Sequence, residues 1–212
     1  MRTLIIAAVL ATAPWSARAG GDRVSVWNFE TDAVGNPPAG FEFSVTAEKK
    51  PGKWMVVKDG NNHLLAQLDR DRTPRRFAMA LVRDRSYRDL KISVRAKPIA
   101  GDAEMVAGLV WRYKDADNYY VARWNINSVR VDRVMNGERQ LLPPHEIPIN
   151  LAADTWHTLT VEHRGEDMQV FVGKERIFVG KDDAYPAPGK VGLWIKADSM
   201  TYFDDLTAEI LR

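Results

Sequence analysis

The sequence predicts an all-β protein in which two antiparallel sheets pack face to face as a sandwich. Short segments of alternating apolar and polar residues recur along the 212-residue chain, and clusters rich in glycine, proline, asparagine and aspartate separate them. No helical period persists for more than about two turns. Short strands with frequent turns are typical of an all-β sandwich or barrel, and one domain of this length is ordinary for that class.

Most predicted strands alternate as expected of a sheet with one buried face. In segment 89–97 every second residue is apolar, whereas segment 77–82 is apolar throughout and fits either a strand or one helical turn. Asn136-Gly137 is the strongest tight-turn dipeptide in the chain. In chain order the predicted strands are 24–29, 41–45, 54–57, 63–68, 77–82, 89–97, 106–113, 119–126, 129–134, 138–142, 155–163, 168–172, 176–179, 190–196 and 200–211.

A hairpin over residues 105–125 organises the prediction of function. Two aromatic-rich arms flank the polar segment 114–118, a composition typical of a hairpin loop. Because side chains alternate across a strand, each arm has an apolar face and a mixed face with polar groups. The apolar face holds Ala107, Leu109, Trp111, Tyr113, Tyr120, Ala122, Trp124 and Ile126. The mixed face holds Val106, Gly108, Val110, Arg112, Tyr119, Val121, Arg123 and Asn125.

Residues 1–19 have the features of a secretory signal peptide. Arg2 gives the charged start, residues 4–13 form a short apolar run, and Ala17-Arg18-Ala19 is a typical cleavage site before Gly20. The run is too short to cross a bilayer. The rest of the chain, 20–212, has no low-complexity linker or internal repeat. We therefore expect one periplasmic or extracellular domain that does not insert into a membrane after cleavage.

Composition argues against several classes of partner. The chain holds 30 Lys and Arg and 28 Asp and Glu, and removal of Arg2 and Arg18 with the signal leaves 28 of each. A net charge of zero without a basic patch argues against nucleic acid and anionic lipid as partners. The chain has no cysteine, so an exported form has neither disulfides nor thiol chemistry. The sequence does not indicate the oligomeric state.

A set of motifs in the second half of the chain indicates a family. They are GLVWRY at 108–113, DNYY at 117–120, RWN at 123–125, WHTL at 156–159, PGKVGLW at 188–194, KADS at 196–199 and FDDL at 203–206. Together they resemble concanavalin A-like jelly-roll domains, nearest to the laminin-G-like family labelled 3-keto-disaccharide hydrolase, or glycoside-hydrolase-16-like. The resemblance implies a jelly roll from about Trp27 to Leu206 and a saccharide ligand. This fold hosts enzymes, lectins and adhesion modules alike.

The mixed face of the hairpin is the candidate ligand site. Trp194 and Lys196 share a face by the same alternation, so a strand beside the hairpin would add a ring and a cation to it. Aromatic rings stack on sugars, and planar guanidinium donors match carboxylates. In the alternative interpretation, Arg112 and Arg123 only pair with acidic residues such as Asp117 or Asp198. The predicted residues for binding a neutral or acidic saccharide are Arg112, Tyr119, Arg123, Asn125, Trp194 and Lys196.

Three functions fit the sequence: a carbohydrate-binding domain, a glycoside-cleaving hydrolase and a structural envelope protein. A glycosidase needs two suitably placed carboxylates. The family-16 pattern E-x-D-x-x-E is absent, and the four histidines lack the spacing of a zinc site. A binding domain is therefore the prediction.

Because Arg123 is expected to lie off the core, Arg123→Ala is expected to weaken binding and to cost little stability.

A structural calcium ion is the one cofactor that the resemblance implies. In sugar-binding jelly rolls, a carboxylate after the first strand and one from the last strand hold such an ion. Glu30 and Asp205 stand at these positions and offer the oxygen ligands that calcium prefers. Alternatively, both are solvated carboxylates at the ends of apolar strands.

Cleavage of the signal peptide is directly testable. Removal of residues 1–19 is expected to leave Gly20 as the first residue of the exported protein. N-terminal sequencing of protein recovered outside the cytoplasm checks this, and a sequence that still begins at Met1 would contradict it.

Overall fold

The computed structural model of the protein describes residues 23–46 and 50–212. The predicted signal segment and the cleavage before Gly20 lie outside these ranges. None of the described residues forms a helix, so no helix among them could span a membrane. Strands in two antiparallel sheets account for the architecture, and the prediction of an all-β sandwich is confirmed.

Sixteen strands form within the described residues, close to the predicted segments. Strands β1 to β8 span Val24–Trp27, Phe41–Val45, Trp54–Asp59, Asn62–Gln67, Phe77–Val82, Leu90–Ala100, Ala107–Asp115 and Asn118–Trp124. Strands β9 to β16 span Ser128–Met135, Glu138–Leu141, Ile147–Pro148, His157–Arg164, Asp167–Val172, Glu175–Lys181, Lys190–Lys196 and Met200–Ile210. The ambiguous apolar segment 77–82 is thus a strand.

The two sheets have eight strands each. Sheet I has the order β14-β13-β12-β6-β16-β4-β3, and β1 also pairs with β16. Sheet II has the order β10-β9-β8-β7-β15-β5-β2, and β11 also pairs with β9. Asn136 and Gly137 connect β9 to β10 with φ angles of 51° and 77°, as a type I′ turn requires. The strand of Trp194 lies beside the hairpin, as the candidate site requires, because β15 pairs with β7.

The main core lies between the sheets. Sheet II contributes Trp111, Tyr120 and Trp124, which are fully or almost fully buried, as their place on the apolar face of the hairpin predicts. Sheet I contributes the alternating apolar residues of β6 and β12. Burial of these side chains from both sheets is the main source of stability in such a sandwich.

A polar contact joins the sheets inside this core. The indole Nε1 of Trp111 in β7 donates to Nδ1 of His163 in β12 at 2.8 Å. Because a tryptophan nitrogen only donates, the histidine proton lies on Nε2 and the ring is neutral. Burial, followed by the charge of Arg112, lowers the pKa of His163 to about 4. The contact thus depends on a neutral imidazole between the sheets.

A bulge in β7 changes the face of the hairpin on which some side chains lie, so part of the predicted assignment is wrong. The register of β7 against β8 shifts between Trp111 and Asp115, and Arg112 has a φ angle of 45°. Against β15, β7 has one extra residue between Val110 and Tyr113, which reverses the alternation beyond it. Tyr113, predicted to lie with Trp111, instead packs against the opposite face of sheet II. Ile126, also predicted to face the core, is 37% exposed because the chain turns after β8.

Candidate ligand-binding face

The surface of sheet II that points away from the main core carries a second apolar cluster. We call this surface the curved face. Its buried members are Phe77, Met79, Leu81, Val106, Val110, Tyr119, Val121, Val134 and Trp194, with Tyr113 packed against them. It corresponds to the predicted mixed face, but aromatic and aliphatic side chains fill it far more completely than the alternation predicts.

Contacts between distant strands show that sheet II bends toward this face. The guanidinium of Arg139 in β10 lies 4.7 Å from the ring centroid of Phe77 in β5. On a flat sheet these strands would be about 24 Å apart, since five steps of about 4.8 Å separate them. Two side chains cannot span that distance, so the ends of the sheet must approach each other. Arg75 and Glu138 form a 2.6 Å ion pair across the same gap.

Hydroxyl groups close the curved face at one end. The single proton of the Thr46 hydroxyl is donated to the carbonyl of Ala116 at 2.8 Å. In the 2.7 Å bond between Thr46 Oγ1 and the Tyr119 hydroxyl, Tyr119 is therefore the donor. The hydroxyl of Tyr113 bonds to that of Ser44 at 2.9 Å. These bonds run from the end of β2 to the tip of the β7–β8 hairpin. Burial raises the pKa of Tyr119, so the hydroxyl keeps its proton and its place in the network.

A buried ion pair lies at the other end of the face. Arg123 Nε donates to Asp132 Oδ2 at 2.8 Å, and the two side chains are 6% and 1% exposed. The second carboxylate oxygen, Asp132 Oδ1, is buried and has no hydrogen-bond partner in the structure. Buried polar atoms are nearly always satisfied. An acceptor therefore remains available beside the aromatic rings of the curved face.

Three of the six predicted binding residues share this face. Tyr119 and Trp194 lie in its apolar cluster, and the Trp194 Nε1 donates to the Tyr119 hydroxyl at 3.3 Å. Arg123 lies on the same side in β8, but the expectation that it lies off the core is wrong. Its side chain is buried and paired with Asp132, which is neither of the predicted acidic partners. Binding of a ligand by these residues stays a prediction.

The other three predicted residues make structural contacts at the edge of the face or beyond it. Arg112 leaves the face at the bulge, and its guanidinium donates to the carbonyl oxygens of three residues, Arg88, Tyr185 and Gly165. The side-chain oxygen of Asn125 accepts backbone hydrogen bonds from Asn127 and Ser128 in the β8–β9 turn. Lys196 forms an ion pair with Glu104 at the edge of the face. Their side chains therefore serve first to hold loops and turns.

The sequence analysis missed residues of β9 and β10 on this face. Arg130 stands opposite Arg123 in the β8–β9 register, and Asp132 and Arg139 follow on the same side. In β9, the alternation of Arg130, Asp132 and Val134 with Val129, Val131 and Arg133 was visible in the sequence. The mixed face of β8 continues onto the neighbouring β9–β10 hairpin, whose turn at Asn136-Gly137 was recognised in the sequence.

The two predicted calcium ligands accept hydrogen bonds from different partners. Asp205 Oδ2 accepts from Arg95 at 3.0 Å, whereas Glu30 Oε1 accepts from the backbone of His63 at 3.3 Å. Asp204, rather than Asp205, reaches the turn between β3 and β4, where it accepts a hydrogen bond from Asn62 at 2.9 Å. Within residues 23–46 and 50–212, no three carboxylate or imidazole side chains converge, so this donor set does not fit calcium by itself. Calcium binding at Glu30 and Asp205 stays a prediction.

Comparisons with solved structures assign the fold. Carbohydrate-binding module CBM66 from Bacillus subtilis matches with a TM-score of 0.61 at 18% identity, over 79% of this chain and 94% of that one. A β-glucanase from Bacillus licheniformis matches with a TM-score of 0.57 at 14% identity, over 92% and 100% of the two chains. A Bacillus subtilis protein with a galectin-like fold matches with a TM-score of 0.58 at 10% identity, over 81% and 90%.

The fold is a concanavalin A-like jelly roll. The structures that are similar to this chain include a binding module and a hydrolase, and identities this low show the architecture alone. No family model matches the sequence, and no curated protein matches it significantly. The fold implied by the sequence motifs is therefore confirmed, whereas the choice between binding and cleavage depends on the site itself.

Removing Asp132 is expected to destabilise the protein strongly. Asp132→Ala leaves the Arg123 guanidinium buried without its counterion, and loss of one partner of a buried pair costs about 3–5 kcal/mol. Replacing both, as Arg123→Met with Asp132→Leu, is expected to recover most of that loss because no buried charge remains. Free energies of unfolding from urea titrations measure all three variants.

An exposed ion pair provides the control for this cycle. Glu166 pairs with Lys181 at 2.7 Å, and both side chains are more than half exposed. Glu166→Ala is expected to change the free energy of unfolding by less than about 1 kcal/mol. If Asp132→Ala is no more destabilising than Glu166→Ala, the pair does not stabilise the curved face.

Calcium binding has a separate test. If Glu30 and Asp205 help to hold an ion, calcium raises the melting temperature by mass action and excess chelator lowers it. Thermal melts in calcium and in chelator measure this, and Glu30→Gln should abolish the difference. Identical melting temperatures in the two buffers would contradict the prediction.

Proposed function

We propose that this protein is a carbohydrate-binding domain that takes a saccharide on the curved face. The observation that carries the proposal is the unpartnered Asp132 Oδ1 beside a row of aromatic rings. A carboxylate oxygen accepts a sugar hydroxyl, and aromatic rings stack on the apolar faces of sugars. The face therefore offers the two kinds of contact by which a protein holds a neutral part of a saccharide.

The aromatic rings of the face stack in two pairs. Tyr113 and Tyr119 stack with ring centroids 6.0 Å apart, and Phe77 and Trp194 stack at 5.2 Å. Tyr113 is the half-buried member of the row, so a ligand would meet it first. The two solved structures named for carbohydrate binding or glucan chemistry have the same fold, which supports a saccharide as the class of ligand.

Binding is favoured over hydrolysis by the placement of carboxylates on this face. Asp132 in β9 pairs with Arg123, and Glu42 in β2 pairs with Lys190 at 2.5 Å. A glycosidase needs two carboxyl groups that act as acid and as base or nucleophile across one bond. These two carboxylates are instead paired with cations already.

Loss of the exposed ring is expected to weaken saccharide binding. A glycan array identifies the best oligosaccharide, and calorimetric titration then compares the unmodified protein with Tyr113→Ala. We expect an affinity about tenfold lower, since aromatic stacking contributes about 0.5–1.5 kcal/mol beyond buried area and 1.4 kcal/mol is tenfold. Tyr202→Ala is the matched control, because Tyr202 is a half-buried tyrosine on sheet I.

Three results would overturn the proposal. If no glycan binds, or if Tyr202→Ala weakens binding as much as Tyr113→Ala, the curved face is not the saccharide site. Release of reducing sugar during incubation with the same oligosaccharide would assign the protein to the hydrolases instead.

A further inference from the structure

The end of the curved face formed by β8, β9 and β10 has an excess of positive charge. Arg123, Arg130 and Arg139 lie there, and we call them the arginine cluster. Arg123 pairs with Asp132 at 2.8 Å, and Arg130 pairs with Glu146 at 2.6 Å. Among the described residues, no carboxylate forms an ion pair with Arg139, whose guanidinium instead lies over the ring of Phe77.

Three buried side-chain atoms of this region have no hydrogen-bond partner. They are the acceptor Asp132 Oδ1 and the donors Arg130 Nε and Arg139 Nη1. Leaving such atoms buried and unsatisfied is unfavourable, most of all for a charged group. Burial, followed by the charge of Arg123, lowers the pKa of Arg139, although the nearby Asp132 carboxylate acts in the opposite direction.

The strand register places these residues next to one another. Arg123 and Arg130 are direct cross-strand partners, Asp132 stands opposite Leu141, and Arg139 stands opposite Val134. Arg139 and Asp132 are thus diagonal neighbours, a separation that long side chains bridge easily. A ligand that satisfies all three atoms must offer both an anionic acceptor and a hydroxyl donor.

We propose that the arginine cluster recognises a saccharide that carries a carboxylate, that is, a uronic acid residue. Its planar carboxylate matches the guanidinium forks of Arg139 and Arg130, and its ring hydroxyls match Asp132 Oδ1. The inference rests on the proposed saccharide site and adds the chemical class of the sugar. The ring of Phe77, which lies under Arg139, supplies a stacking surface for the same sugar once the Arg139 side chain moves.

Access to the cluster requires side chains to move, because the three atoms are buried. The outermost contact over this part of the face is the ion pair between Arg75 and Glu138, whose side chains are 60% and 66% exposed. An exposed pair of this kind contributes little free energy. Separation of Arg75 from Glu138, and of Arg139 from Phe77, gives a uronic acid a path to the guanidinium groups.

The test compares each acidic sugar with its neutral ester. Short oligomers of galacturonate, glucuronate and mannuronate, and the same oligomers with methyl-esterified carboxylates, are titrated calorimetrically into the full protein. We expect at least one acid to bind about tenfold or more tightly than its ester, as a charged hydrogen bond implies. Arg139→Gln is expected to remove that difference, whereas the exposed Arg176→Gln on sheet I is expected to preserve it.

Separate outcomes distinguish the two proposals. If acid and ester bind equally, the uronic acid class is wrong but the saccharide site stands; if neither binds, both are wrong. If a sulfated oligomer without carboxylates binds as tightly as the acid and depends equally on Arg139, the site recognises anions in general and the carboxylate assignment is wrong. Thermal melts check that the variants fold, and Arg130→Gln replaces Arg139→Gln if the latter does not.

Discussion

The bulge at Arg112 is the constraint on which the shape of sheet II depends. It shifts the register of β7 against both neighbours, β8 and β15, at the same level of the sheet. Gly189 makes this possible, since a Cβ there would lie 2.4 Å from the carbonyl carbon of Arg112. The guanidinium of Arg112 then fixes the bulge by donating to three loop carbonyls. One residue thereby moves Tyr113 onto the curved face and ties the sheet to its surrounding loops.

Local patterns in the sequence predict most of the strands, the main core and the fold class. The alternation in β6 and β8 and the Asn136-Gly137 turn each depend on residues close together in the chain, so they are visible without a structure. The bulge is different, because it depends on contact between Arg112 and Gly189, far along the chain. The burial of Arg123 was equally hidden, since it follows from the bending of the whole sheet and from pairing with Asp132.

The curved face combines features of a core and of a binding surface. Its rings pack like interior side chains, yet hydroxyl bonds and one exposed ion pair close it, rather than another sheet. When a binding surface is filled by its own side chains, only the fraction of molecules in which it is open can bind. The apparent affinity for the ligand falls in proportion to that fraction. The polar atoms left unsatisfied act in the opposite direction, because a ligand that pairs with them relieves an existing penalty.

The neutral histidine between the sheets links the assembly of the sandwich to proton uptake. His163 has a pKa of about 4 in the folded protein and an ordinary value of 6.5 when exposed. Between these values the unfolded chain binds a proton that the folded one does not, so the contribution to stability is complete above pH 6.5 and declines as the pH falls toward 4. A charged imidazole can no longer accept the proton of Trp111. Between pH 6.5 and 4 the contact therefore persists in the folded protein while the free energy of unfolding falls, and below about pH 4 the contact itself is lost.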